Sequence, residues 1–113
     1  MLNSHNDVYN IEAEQVVLGC ILQKPELIKD ATVKADEFSR EKHQIIFQSM
    51  KALDKAGEPI DFVTLVIKFG NITTVQIGGV SYLQQLGESV LSVEPFHFYE
   101  GLVKKAFKFG KDL

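Results

Sequence analysis

The stretch Asn10-Ile11-Glu12-Ala13-Glu14-Gln15-Val16-Val17-Leu18-Gly19-Cys20-Ile21-Leu22 decides the fold. Asn10 is a helix-capping residue, and Glu12 and Glu14 follow in the first turn, where the positive end of a helix favours carboxylates. The helix they open is apolar on most of its circumference, through Ile11, Ala13, Val16, Val17, Leu18, Cys20, Ile21 and Leu22. Such a helix belongs at the centre of a core rather than on its surface. Gly19 inside it lowers helix propensity by up to about 1 kcal/mol, so a neighbouring helix is expected to pack closely there.

Upstream, residues 1–9 are polar and without periodicity, and are expected to form a flexible leader. Downstream, Pro25 suits the first turn of a short second helix ending near Ala31. Ala35-Asp36-Glu37-Phe38 reads as a turn that drops Phe38 into the core. Ser39 is the expected cap of a third helix, with Ile46, Met50 and Leu53 at helical spacing and His43 and Phe47 beside them. Gly57 ends that helix and Pro59 keeps it from resuming. Asp61 caps a fourth helix through Val63, Leu65, Val66, Ile67 and Phe69, where the cap and the absence of strict alternation outweigh a β-branched, aromatic composition. Gly70 to Gly79 reads as a loop with one extended segment. A fifth helix starts near Gly79 with Val80, Leu83, Leu86 and Val90 on one stripe. Pro95 opens a sixth that continues to about Phe109, with Phe96, Tyr99, Val103 and Ala106 on one face and Phe98, Leu102 and Phe109 on another. The expectation is an all-α, compact orthogonal domain of about six helices.

Composition agrees. The chain has 113 residues, 45% of them apolar and 24% charged, which is ordinary globular usage for one domain. The single Cys20 rules out an intrachain disulfide and a four-cysteine zinc site. A net charge of −3 has the wrong sign for a module dedicated to coating nucleic acid. The longest apolar run, Val16 to Leu22, is far short of the roughly 20 residues that span a membrane. No basic residue precedes Lys24, so a secretory signal is missing from these residues, and the expected compartment is the cytoplasm.

Few residues invite chemistry. No Gly-x-x-x-x-Gly-Lys-Ser/Thr phosphate loop occurs, and Gly78-Gly79 is better explained as a helix entry. His5, His43 and His97 lack a helical partner suited to a metal, and Cys20 fits a small buried hydrophobe better than a nucleophile. Glu12 and Glu14 point in different directions, and the helix dipole explains them. Lys104, Lys105, Lys108 and Lys111 suit the last turns of a helix; the competing reading is a contact with phosphate or an acidic partner. No catalytic, cofactor-binding or metal residue is expected. The last helix is the oddity, because Phe96, Phe98, Tyr99, Phe107 and Phe109 lie on more than one face, whereas packing needs one stripe. The surplus points to a protein–protein contact through Phe98, Leu102 and Phe109.

Five pieces in order resemble one family. Asn10 to Leu22 is similar to the opening of the N-terminal domain of DnaB-type bacterial and phage replicative DNA helicases. Phe38 with His43-Gln44-Ile45-Ile46-Phe47-Gln48-Ser49-Met50 follows, then Gly57-Glu58-Pro59-Ile60-Asp61-Phe62-Val63-Thr64-Leu65 and Gly78-Gly79-Val80-Ser81-Tyr82-Leu83. Phe98-Tyr99 and Leu102-Val103 close the resemblance, which covers residues 10–106. It implies an all-α globular domain, followed in the family by a helical hairpin, a linker and a RecA-like ATPase domain that holds ATP and Mg. It also implies a hexamer collar built as a trimer of dimers, where primase and helicase-loading proteins dock.

The expectation is therefore a non-catalytic oligomerisation and partner-docking domain over residues 10–106, without cofactors of its own. Residues 107–113 would be the start of a truncated hairpin or linker, since Gly110 propagates a long helix poorly. Expected partners are a second copy, primase and a helicase loader, with weak or absent DNA contact and no membrane. The alternative is a stand-alone phage or prophage protein that mimics the collar and binds a host primase or loader.

Overall fold

In the computed structural model, which describes residues 2–111 and the side chains of 11–110, helix α1 (Leu2–Gln23) is the axis of the domain. It packs against α2 (Leu27–Asp30), α3 (Glu41–Lys55), α5 (Val80–Glu88) and α6 (Phe96–Lys111). Ala13, Val17, Leu18, Cys20 and Ile21 are all buried, as an apolar circumference requires. A Cβ on Gly19 would collide with the carbonyl oxygen of Leu86 and lie 2.5 Å from Val90 Cγ2, so the close approach expected there is made by α5. The helix starts at Leu2 and not at Asn10; Asn10 lies inside it, and residues 2–9 continue the same helical backbone instead of a separate leader.

The short α2 (Leu27–Asp30) buries Leu27 and Ile28. An extended strap leads to a 3₁₀ turn at Ala35–Glu37, after which Phe38 enters the core at 1% exposure. Helix α3 (Glu41–Lys55) buries His43, Ile46, Phe47, Met50 and Leu53 on one face. It ends as expected at Gly57 (φ 72°), where Glu58 N–H bonds Leu53 O at 2.9 Å and Gly57 N–H bonds Asp54 O at 3.0 Å. Its N-terminal neighbour is Arg40, with no side-chain cap. Ser39, the expected cap, is used elsewhere.

Asp61 does cap α4 (Phe62–Gln76), accepting from Thr64 N–H at 2.8 Å. Those hydrogen bonds, to Thr64 first, hold the Asp61 carboxyl below its ordinary range. The helix breaks at Gly70 (φ 70°, ψ −178°) and then continues, so the loop expected over Gly70 to Gly79 is largely helical. It is retained because the turn after it delivers Ile77 into the core at 0% exposure. Gly79 (φ 85°) opens α5 (Val80–Glu88), which buries Tyr82, Leu83 and Leu86. Gln23 closes the far end of α5, donating to Gly87 O at 2.7 Å and to Val90 O. Helix α6 (Phe96–Lys111) lies along α1 and completes the six-helix fold, with no strand among the described residues. No single described helix is long and apolar enough to cross a membrane.

Candidate docking interface

Helix α6 is fixed by what its inner face buries. Phe96, Glu100 and Val103 recur at i, i+4 and i+7 and are 1%, 2% and 0% exposed. A buried glutamate needs partners for its charge. Glu100 Oε2 accepts from Thr32 N–H at 2.6 Å and Val33 N–H at 2.9 Å, and Oε1 lies 3.0 Å from His97 Nδ1. Burial works against ionisation of Glu100, but the bonds from Val33, His97 and Thr32 outweigh it and hold the carboxyl below the ordinary 4.5. Lys104 Nζ adds a bond to Thr32 O at 3.3 Å. One helix thus satisfies the backbone of the strap after α2.

With that side committed, the other side faces outward. Phe98 is 62% exposed and Phe109 60%, while Leu102 between them is half-buried against the core. Phe98 keeps an edge-on contact with Tyr99 at 5.3 Å between ring centres. A Cβ on Gly101 would meet nothing within 4 Å, so this face is open. Two of the three residues expected as interface are therefore exposed aromatics, and the third is their partly covered base. Lys105 and Lys108 are exposed on the same helix; the side chain of Lys111 lies outside the described residues.

A second buried carboxylate was not anticipated. Glu14, read as serving the helix dipole, is 0% exposed and accepts from Ser39 N–H at 2.8 Å, Ser39 Oγ–H at 2.6 Å and His43 Nδ1–H at 2.7 Å. His43, also 0% exposed, meets the Tyr82 hydroxyl at 2.6 Å through Nε2, and Gln15 Nε2 reaches the same hydroxyl at 3.2 Å. An ionised carboxylate only accepts, so Nδ1 carries a proton. Tyr82 then donates to Nε2 and accepts from Gln15, so the polar side-chain atoms of Glu14, His43 and Tyr82 all have partners. Burial again opposes ionisation of Glu14, and the bonds from His43 and Ser39 overcome it, so its carboxyl stays below 4.5. Burial, and then the charge of Glu14, push the Tyr82 phenol up against the bond from Gln15.

This acid–imidazole–hydroxyl series has the order of a catalytic relay, but Glu14 and His43 have no exposed surface and Tyr82 only 9%, which closes the acid and the imidazole to a substrate. It joins α1, α3 and α5 instead. Cys20 is equally closed off: burial pushes its thiol up to about 11, the state of an inert buried hydrophobe. The signal that could have revealed Glu14 was its place on the Leu18 and Ile21 stripe of a helix already assigned to the core.

A buried acid–imidazole–hydroxyl series and an open aromatic helix face distinguish this small helical domain. The chain belongs to the DnaB-like helicase N terminal domain family, whose model matches residues 6–105. It is 35% identical over 108 residues to the replicative DNA helicase DnaC of Bacillus subtilis, covering 93% of this chain and 24% of that protein. It is 34% identical to the replicative DNA helicase DnaB of Geobacillus stearothermophilus, over 85% of this chain and 22% of that one. The chain thus spans about a quarter of the length of these relatives. Among solved structures, the N-terminal domain of the DnaB helicase from Mycobacterium tuberculosis superposes with a TM-score of 0.81 at 28% identity, over 88% of this chain and 74% of that one. A DnaB-like replicative helicase described with its interactions with primase gives 0.80 at 38% identity, over 88% and 24%.

Proposed function

We propose that this chain is a non-catalytic oligomerisation and docking domain of a replicative DNA helicase, and that the α6 face of Phe98, Leu102 and Phe109 is its contact surface. The observation that carries this reading is the pair of aromatics left more than half exposed on a helix whose opposite side is anchored by Glu100. Exposed aromatics of this kind dominate interface energies. The similarity to a helicase described with its interactions with primase supports primase as the partner, with a helicase loader or a second copy meeting the same surface.

In this reading ATP and Mg belong to another part of the longer protein, because the chain has no phosphate loop. The domain itself takes no cofactor, contacts DNA weakly or not at all, and works in the cytoplasm. The test is binding of the primase from the same organism to the wild-type chain and to Phe98→Asp, by calorimetry. A charged group at a hot-spot aromatic is expected to weaken binding at least about tenfold. An unchanged affinity, or ATP hydrolysis by the pure chain, would overturn the reading.

A further inference from the structure

The C-terminal half of α6 and the 3₁₀ turn at Ala35–Glu37 border an open cleft of about 490 Å³, lined by Glu37, Lys104, Lys105, Phe107 and Lys108. That volume is in the range of ligand sites. Three ammonium groups against one carboxylate make the cleft positive, on a chain whose net charge is −3.

The lysines are not spent on the fold. Lys104 reaches a neutral acceptor, Thr32 O, at 3.3 Å. Lys105 and Lys108 are exposed and form no ion pair among the described residues. The dipole of a helix ending at Lys111 accounts for Lys108 in its last turn, but falls off before Lys104 and Lys105. Like charges four and three positions apart, as at Lys104–Lys108 and Lys105–Lys108, cost helix stability. Glu37 does not neutralise them, because its Oε1 accepts from Lys34 N–H at 2.7 Å and fixes the turn. An anion bound among the lysines removes the repulsion.

The other groups select among anions. Phe107 is half-buried in the lining and offers an apolar side chain a surface to cover. The Glu37 carboxylate repels a continuous row of phosphates but accepts from a peptide N–H, a donor that a phosphate backbone lacks. The net charge of the chain also acts against a long polyanion. We infer that this cleft binds a short acidic and apolar peptide segment of a partner protein. Its carboxylates meet Lys104, Lys105 and Lys108, an apolar side chain covers Phe107, and a backbone N–H reaches Glu37. The site shares no residue with the Phe98, Leu102 and Phe109 face and does not rest on the role proposed for it.

The test is an amide chemical-shift titration of the full chain by NMR, with the acetylated and amidated hexapeptide Glu-Leu-Glu-Leu-Glu-Leu as probe. Shifts should concentrate at residues 34–38 and 104–108 and saturate with a Kd below about 1 mM. The same peptide with Gln for Glu should not bind. Lys105→Glu combined with Lys108→Glu sets charges of the wrong sign at exposed positions; circular dichroism should stay native and affinity should fall at least about tenfold. Lys51→Glu, exposed on α3 and outside the cleft, and Phe98→Ala, on the aromatic face, should each change affinity by less than about twofold. The inference is overturned by a Kd above about 1 mM, by equal binding of the Gln peptide, or by wild-type affinity in the double variant. An equal loss in Lys51→Glu would show a general charge effect, and a loss in Phe98→Ala would move the peptide to the aromatic face; either overturns it. Tighter binding of a thymidine hexanucleotide at the same salt would assign the cleft to single-stranded nucleic acid and overturn it as well.

Discussion

Replacing Glu14 by Ala should be among the most damaging single changes in this domain, and replacing it by Gln should not. The carboxylate is the acceptor for three donors, the Ser39 N–H, the Ser39 hydroxyl and His43 Nδ1–H, at 2.6–2.8 Å and without solvent. Alanine leaves all three without a partner and opens a void between α1 and α3. A buried donor left unpaired costs about 1–3 kcal/mol, so three of them with partial relaxation cost about 3–5 kcal/mol. Against a total of about 5–15 kcal/mol, that removes about a fifth or more of the stability. At about 4 °C per kcal/mol, the lower end for domains near this size, Tm falls by about 12–20 °C. Glutamine keeps the volume and one oxygen for the two Ser39 donors. Its amide nitrogen meets His43 Nδ1, which can accept once the imidazole proton moves to Nε2; Nε2 then donates to Tyr82, and the Gln15 amide flips so that its oxygen accepts from the hydroxyl. That rearrangement costs about 1–2 kcal/mol. Thermal and urea unfolding followed by circular dichroism measure both. Equal losses for the two variants, or a loss below about 1 kcal/mol for alanine, would refute the role given to the carboxylate.

Other expectations follow from the same contacts. Gly19→Ala places a methyl group into Leu86 O and Val90 Cγ2 and should destabilise by about 1–3 kcal/mol despite the better helix former, whereas Gly101→Ala, with open space around it, should be neutral or stabilise by up to about 1 kcal/mol; urea titrations compare them. Glu14 and Glu100 both titrate below 4.5 in the folded chain, so the unfolded chain binds their protons first. Their stabilisation is complete above about 4.5 and is lost as pH falls through the folded values, and Tm against pH should lose part of its acid slope in Glu14→Gln. Cys20 should resist a thiol reagent at neutral pH until the chain unfolds, since burial holds its thiol near 11; rapid labelling of the native domain would contradict its burial.

Features set by one residue and its immediate neighbours were legible before any coordinates. The Gly57 stop, the Asp61 cap and the close packing at Gly19 each follow from local chemistry, and each is present. The resemblance of five ordered pieces gave the family. What escaped depends on partners far along the chain. Glu14 meets residues 25 and 29 positions away, so a local account through the helix dipole was sufficient and incomplete. Ser39 was assigned to the helix beside it because its actual acceptor lies on α1. The second half of α4, with Thr73, Thr74 and Val75 between glycines, has poor helix propensity; burial of Ile77 overrides it. On α4 the apolar residues ring the helix, and composition alone did not show that only Leu65 and Phe69 would be buried.

The two buried carboxylates hold the fold from inside, independently of the outer faces of α4 and α6. Glu14 ties down the segment at Ser39 and Glu100 the segment at Thr32 and Val33, the two stretches where regular helix hydrogen bonding is interrupted around α2 and the 3₁₀ turn. Each does so from a central or inner helix face. The outer faces of α4 and α6 are then not needed to close the core, and apolar side chains can stay there without competing for it. Because Glu100 and Phe98 lie on opposite sides of one helix, α6 is held in place before any partner arrives. A face ordered in advance loses little further entropy on docking. Glu100→Gln should therefore weaken primase binding through looser positioning of α6, with contacts at Phe98 chemically unchanged. Phe98→Asp should weaken it with Tm preserved. Identical stability and binding profiles for the two variants would show that anchoring and contact are not separate functions of this helix.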